Sequence, residues 1–309
     1  MNSWLNMFAD PNTTWILLGC MLLGLGSGII GSFAYLRKQS LMGDALAHAA
    51  LPGVCIAFML TGSKSIFGFL IGAAVAGVVA TLAIGFMTRY TRIKQDSAIA
   101  AVLSVFFGFG IMLLTEIQHS GSGNQSGLDK FLFGQAATMV LSDVYTMTII
   151  SVLLIGMCTL LFKEFKLISF DPGFARGLGL PVGLLDQAIM VMIVVAVVAG
   201  IQAVGVVLMA ALLITPAVSA RYWTEKLGVM MCLAGVFGAV SGLVGTWIST
   251  AGANLPTGPL SVLCATGLFV VSVVFAPRRG MLSKLLTRLA VKRRMMIESP
   301  IAVREGESA

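Results

Sequence analysis

The sequence predicts an all-α polytopic membrane protein with about nine transmembrane helices, eight being the alternative, on three observations. Of its 309 residues 58% are hydrophobic and 11% charged, at a mean hydropathy of +0.97, a composition that excludes a soluble globular domain. Apolar runs of about 20 residues, the length needed to cross a bilayer, recur along the chain. The basic residues collect in alternate loops, the bias that marks cytoplasmic segments.

Spanning runs are expected at about Thr14 to Leu36, Gly43 to Leu60, Ile66 to Met87, Ser97 to Thr115, Met139 to Phe162, Leu184 to Ala220, Gly228 to Ser249 and Gly258 to Ala276. No Lys or Arg precedes the first run, so the charged region of a cleaved signal peptide is missing and the first helix is expected to stay. The run from Leu184 to Ala220 is too long for one straight span. Gly200, Gln202 and Gly205 mark a tight reversal inside it, which gives nine spans. With the N-terminus outside, all of the 20 Lys and Arg residues except Lys64 and Lys130 fall in cytoplasmic segments. That placement accounts for the formal charge of +7 without a nucleic-acid partner. The 5 cysteines lie singly in apolar runs with no C-x-x-C pair, and read as small hydrophobes. Glycines at helical spacing, Gly24 and Gly28, Gly68 and Gly72, Gly238 and Gly242, favour close approach of helix backbones.

The chemistry concentrates in Leu41 to Gly53, LMGDALAHAALPG. Asp44 and His48 stand four apart, which on a helix stacks them on one face with Cβ atoms roughly 5 to 6 Å apart. A carboxylate oxygen and an imidazole nitrogen could then reach one divalent cation. Pro52 has no N–H for the carbonyl of His48, which leaves a third oxygen beside the pair. Ionisable side chains in a span usually mark a pathway. The competing reading has Asp44 capping a helix after Gly43 and His48 packing in the core.

Beyond this stretch, Lys163 to Pro181 is the longest interior loop. Asp171 followed by Pro172 is a helix start, aspartate at N-cap and proline at N1, with Gly177 and Gly179 as a stop. A short helix on the inner face follows, either a lone surface helix or a docking element. Pro216 should kink its span. The loop Glu116 to Gln135 is external and carries Glu116 and His119, as a weak cation-collecting mouth or a solvated loop. The turn Asn254 to Pro259 is dense in turn formers and suits a re-entrant or gating turn. Residues 1–280 form the transmembrane domain, and 281–309 a cytoplasmic tail that starts as an amphipathic surface helix and ends disordered. No G-x-x-x-x-G-K-[ST] loop occurs, so an ATPase, if one drives transport, is another chain. No nucleophile–base pair, H-E-x-x-H or paired intramembrane carboxylates point to an enzyme.

These stretches resemble the permease subunits of the manganese, zinc and iron ABC importers. The resemblance rests on GSFAYLRKQSLMGDALAHAALPG (Gly31 to Gly53), FLFGQ (Phe131 to Gln135), FDPGFARGLGLPV (Phe170 to Val182), GVVLMAALLITPAVSAR (Gly205 to Arg221) and LPTGP (Leu255 to Pro259), in the family's order. It implies a type II importer fold similar to cobalamin and siderophore permeases, in a bacterial cell (inner) membrane. It implies three partners: a cytoplasmic ATP-binding subunit, a second permease chain in a homo- or heterodimer, and an extracellular or periplasmic metal-binding protein. The histidine motif places Asp44 and His48 on the metal route at the permease dimer axis. The segment at about 170–182 resembles the family's coupling helix, so Asp171, Pro172, Ala175, Arg176 and Gly177 would face the ATPase. No permanently bound cofactor is implied; the metal is cargo. The LPG after His48 and the APRRG closing the last span resemble the manganese and iron branch. Manganese is therefore expected, with zinc or iron(II) as alternatives, a chelate permease as a competing class, and a proton-coupled carrier using Asp44 and His48 as a relay as another.

Overall fold

The computed structural model describes residues 11–62, 66–119, 141–251, 255–277, 279–285 and 287–288. The described residues up to Phe275 form eleven helices: α1 (Pro11–Leu36), α2 (Met42–Thr61), α3 (Ile66–Tyr90), α4 (Gln95–His119), α5 (Leu141–Leu160), α6 (Phe162–Phe170), α7 (Pro172–Gly177), α8 (Val182–Val204), α9 (Val206–Trp223), α10 (Leu227–Ala251) and α11 (Thr257–Phe275). Among the described residues there is no strand. An all-helical chain suits a bilayer because each helix satisfies its own backbone polar groups.

Among the described residues, 8 helices are long and apolar enough to cross a membrane, and α9 is a shorter apolar helix beside them. The expected reversal inside Leu184 to Ala220 lies at Gly205, which separates α8 from α9 with φ 92°, a backbone region that glycine reaches at little cost. A Cβ on Gly200 would lie 2.0 Å from Met209 Sδ. In one continuous helix those residues would stand roughly 13 Å apart along the axis, so the chain doubles back and α9 returns beside α8. Pro216 sits inside α9, which runs unbroken to Trp223.

Glycine stripes set the tightest crossings. Gly24 and Gly28 of α1 lie against Gly238 and Ala234 of α10, where an added Cβ would meet carbonyl oxygens at 2.2 Å in both cases. Gly72 of α3 lies against Gly53 of α2, not against another expected stripe: a Cβ on Gly53 would sit 2.1 Å from the Gly72 carbonyl oxygen. In lipid, where burial of apolar surface gives little, such close packing is what holds helices together. The outer face of α3 presents Phe67, Ile71, Val75, Val79, Leu82 and Phe86, a helical stripe that suits lipid tails.

Side-chain contacts gather the loops richest in Lys and Arg at one end of the bundle. Arg37, just after α1, makes an ion pair with Asp186 near the start of α8. Arg89 at the end of α3 lies beside Gly183, and Arg279 meets Glu225 at 3.2 Å. Burial pulls the Arg37 guanidinium below its ordinary value, while the Asp186 carboxylate pulls it back up.

Two boundaries differ from the expected ones. Helix α4 continues to His119, so Glu116 and His119 lie on its last turn, with His119 Nδ1 2.8 Å from the Thr115 carbonyl; the rest of that loop lies outside the described residues. Lys163 to Phe170, expected as loop, folds as α6 because its apolar residues Phe165 and Ile168 turn inward and are buried. FLFGQ, Lys64, Lys130 and most of the 281–309 tail lie outside the described residues.

Candidate functional site

Asp44 and His48 lie on the first half of α2. Helix α2 starts at Met42 with Leu41 as its N-cap and no side-chain cap, so Asp44 does not cap it. Its carboxylate instead lies in the first turn, where the partial positive charge of the helix N-terminus favours an anion. Asp44 Oδ1 and His48 Nε2 are 3.5 Å apart, with side chains 45% and 21% exposed. Around them Met42, Gly43, Ala45, Leu46, Ala47, Ala49 and Ala50 are buried. The two ligand-type groups are thus the open line on the first half of the helix, whose second half also exposes Ile56, Met59 and Leu60.

The neighbours explain why the line stays open in one direction only. Gly43 abuts α9 at Leu213 Cδ2 and Ala210, and Pro52 and Leu51 abut Gly110 of α4. On the open side the His48 imidazole meets Phe107 of α4 edge to face, with centroids 4.7 Å apart at 71°. That contact turns Nε2 toward Asp44 and was not legible in the sequence, because nothing in it pairs residue 48 with residue 107. At metal–ligand distances near ~2.1 Å, two donors 3.5 Å apart subtend an angle of about 110° at a shared cation, within the range that divalent sites adopt. Among the described residues no group of three or more His, Cys, Asp or Glu gathers. One chain therefore offers two side-chain donors here, fewer than the four to eight oxygen or nitrogen ligands such ions take.

The segment expected to face the cytoplasm is a helix–corner–helix. Asp171 is the N-cap of α7, accepting from the Phe174 N–H at 2.9 Å, and Pro172 is N1. The helix ends at Gly177, and Gly179 takes φ 79° to turn the chain toward α8. Asp171, Pro172, Arg176 and Gly177 are exposed, whereas Ala175 is fully buried. Ala175 therefore seats α7 on the bundle and the others face outward. Phe170, Phe174 and Leu178 are each more than half exposed beside them. These apolar side chains make an exposed patch beside α7, of the kind that marks interaction sites, and the sequence reading did not single them out.

Comparison with known proteins agrees with this architecture. Residues 9–276 match the ABC 3 transport family. The chain is 54% identical over 291 residues to the manganese transport system membrane protein MntC of Bacillus subtilis, covering 94% of this chain and 67% of that protein. It is 47% identical over 292 residues to the zinc transport system membrane protein TroC of Treponema pallidum, covering 94% and 98%. The solved structure of PsaBC from Streptococcus pneumoniae in complex with Fab superposes with a TM-score of 0.78 at 31% identity, over 89% of this chain and 96% of that one. A multi-pass helical bundle with these motifs in order, matched along nearly its whole transmembrane length, belongs to the ABC 3 transport family, the metal ABC transporter permeases it resembles.

Proposed function

We propose that this chain is the membrane-spanning permease of an ATP-driven importer of divalent metal ions, with manganese as its main cargo. The observation that carries the proposal is the Asp44–His48 pair, 3.5 Å apart and open where the residues around it on the first half of α2 are buried, in a family permease. An external metal-binding protein delivers the ion, and two permease chains bring their pairs together at the dimer axis. The second chain supplies the ligands that one chain lacks. Such ligands must be weak enough to let the ion leave. A separate cytoplasmic ATP-binding subunit docks on α7 through Asp171, Pro172, Arg176 and Gly177, with Ala175 holding the helix in place, and its turnover alternates access. The permease is not itself an enzyme in this scheme.

Manganese is compatible with the donor set and is supported by the similarity to a manganese transport protein at 54% identity. Carboxylate and imidazole make a hard site without thiolate, one that accepts manganese or iron(II) yet binds zinc more tightly by the Irving–Williams order. Selection thus rests on delivery and on release. Zinc is the second reading, favoured by the similarity to a zinc transport protein at 47% identity. Membership in an ABC transporter family supports ATP coupling over a proton relay. Cells lacking this chain are expected to lose radiolabelled manganese uptake and to regain growth with added manganese. Growth restored only by zinc overturns the manganese assignment.

A further inference from the structure

We infer that the Arg37–Asp186 ion pair is a positioning strut that ties the cytoplasmic coupling segment to the helix bearing Asp44 and His48, an inference that rests on the transport reading above. The pair joins two short, stiff paths. On one side, Arg37 opens the turn between α1 and α2. Hydrogen bonds from the backbone N–H groups of Arg37 to Phe33, Lys38 to Tyr35, Gln39 to Ala34 and Met42 to Gln39 lock this turn. Lys38 takes φ 58°, and Gln39 is 2% exposed. With no slack between Arg37 and Met42, a displacement of Arg37 is a displacement of the first turn of α2, where Asp44 stands.

On the other side, α7 runs into α8 through a hydrogen-bonded corner. The Leu180 N–H donates to Ala175, Val182 to Leu180, and Leu184 and Leu185 to Pro181. Asp186 follows in the next turn, so its carboxylate moves with α7. The Arg37 side chain is 15% exposed and that of Asp186 34%. Arg37 Nη1 is buried without a hydrogen-bond partner among the described residues, so Asp186 is the carboxylate that balances this guanidinium. A second contact between the same regions, Phe33 edge to face on Phe165 with centroids 5.6 Å apart, is apolar. It remains when the charges are removed, which keeps α6 seated on α1 and separates assembly from coupling.

The test uses the whole transporter, purified through this chain with its ATPase and reconstituted in vesicles with the external binding protein. Manganese transported per ATP hydrolysed is measured for each assembled complex. Arg37→Met and Asp186→Asn should each lower that ratio at least about threefold, within the range by which side chains along a coupling path act, and the reversed pair Arg37→Asp/Asp186→Arg should recover it. An unchanged ratio with less assembled complex means a purely structural pair and overturns the inference, as does a well-assembled reversed pair that stays uncoupled. If the reversed pair does not assemble, Arg37→Lys decides: a ratio closer to wild type than that of Arg37→Met upholds the strut, and one as low as Arg37→Met overturns it. Wild-type vesicles showing no ATP-driven manganese uptake would refute the transport reading itself, a result separate from any of these.

Discussion

The imidazole of His48 stands edge to face on the ring of Phe107, 4.7 Å between centroids, so a residue of α4 sets the angle at which α2 presents its nitrogen to Asp44. Asp44→Asn and His48→Ala each remove a donor without touching α7. Both should cut metal uptake by more than about tenfold, since even loss of a group that only orients a ligand costs on that order, while complex assembly and basal ATP hydrolysis persist. Phe107→Ala frees the ring but keeps both donors, and should cost less than either. Uptake per assembled complex measures all three. Normal uptake in Asp44→Asn and His48→Ala would leave these residues with packing roles alone.

Arg176 is exposed on α7 beside Phe174 and Leu178. Arg176→Glu should weaken co-purification of the ATPase or lower transport per ATP hydrolysed, whereas on a free surface helix a charge reversal stays within about 0.5 kcal/mol and is silent. Asp171→Ala removes the cap on the Phe174 N–H, worth about 1 kcal/mol of helix stability, and should produce a milder form of the same defect. Pull-down through this chain, followed by hydrolysis and uptake assays, distinguishes docking from folding.

How much of this was legible in the sequence depended on whether the signal was local. The N-cap at Asp171, the proline at N1 and the stop at Gly177 are local chemistry, and the structure has them as expected. The split at Gly205 was legible as an overlong apolar run with glycines inside it. The Asp44–His48 spacing was legible as one helix face, but its openness was not: it depends on Leu213, Ala210 and Phe107 from other helices. The same limit explains Gly53. The sequence marked Gly68 and Gly72 as a stripe, yet the partner of Gly72 is the glycine after Pro52, a pairing that only the helix crossing creates.

The orientation of the spans is tested by accessibility. A single cysteine at Ser122 should react with an impermeant thiol reagent in intact cells, and one at Ser169, in α6, should not. The native cysteines are replaced first; Cys232 is the exposed one among them. The reverse labelling pattern would invert the topology and put the α7 surface on the wrong side for an ATPase.

The crossing of α2 and α3 yields the last prediction. A Cβ on Gly53 would stand 2.1 Å from the Gly72 carbonyl oxygen and 2.7 Å from Ala76 Cβ. Backbone cannot swing away as a side chain does, so Gly53→Ala must push the two helices apart. Overpacking of this kind costs roughly 1 to 3 kcal/mol, a loss of several degrees in apparent melting temperature. Because Pro52 and Leu51 already touch Gly110 on the opposite side, α2 cannot retreat toward α4, and the strain is relieved by tilting the helix that carries Asp44 and His48. Gly53→Ala should therefore lower metal uptake per assembled complex as well as stability. Gly24→Ala, at the α1–α10 crossing where the carbonyl of Gly238 would be 2.2 Å away, should lower stability comparably but leave uptake per assembled complex closer to wild type. Thermal shift in detergent and uptake in vesicles, measured on the same two variants, test the difference; equal uptake defects would remove any special link between the Gly53 crossing and the metal helix.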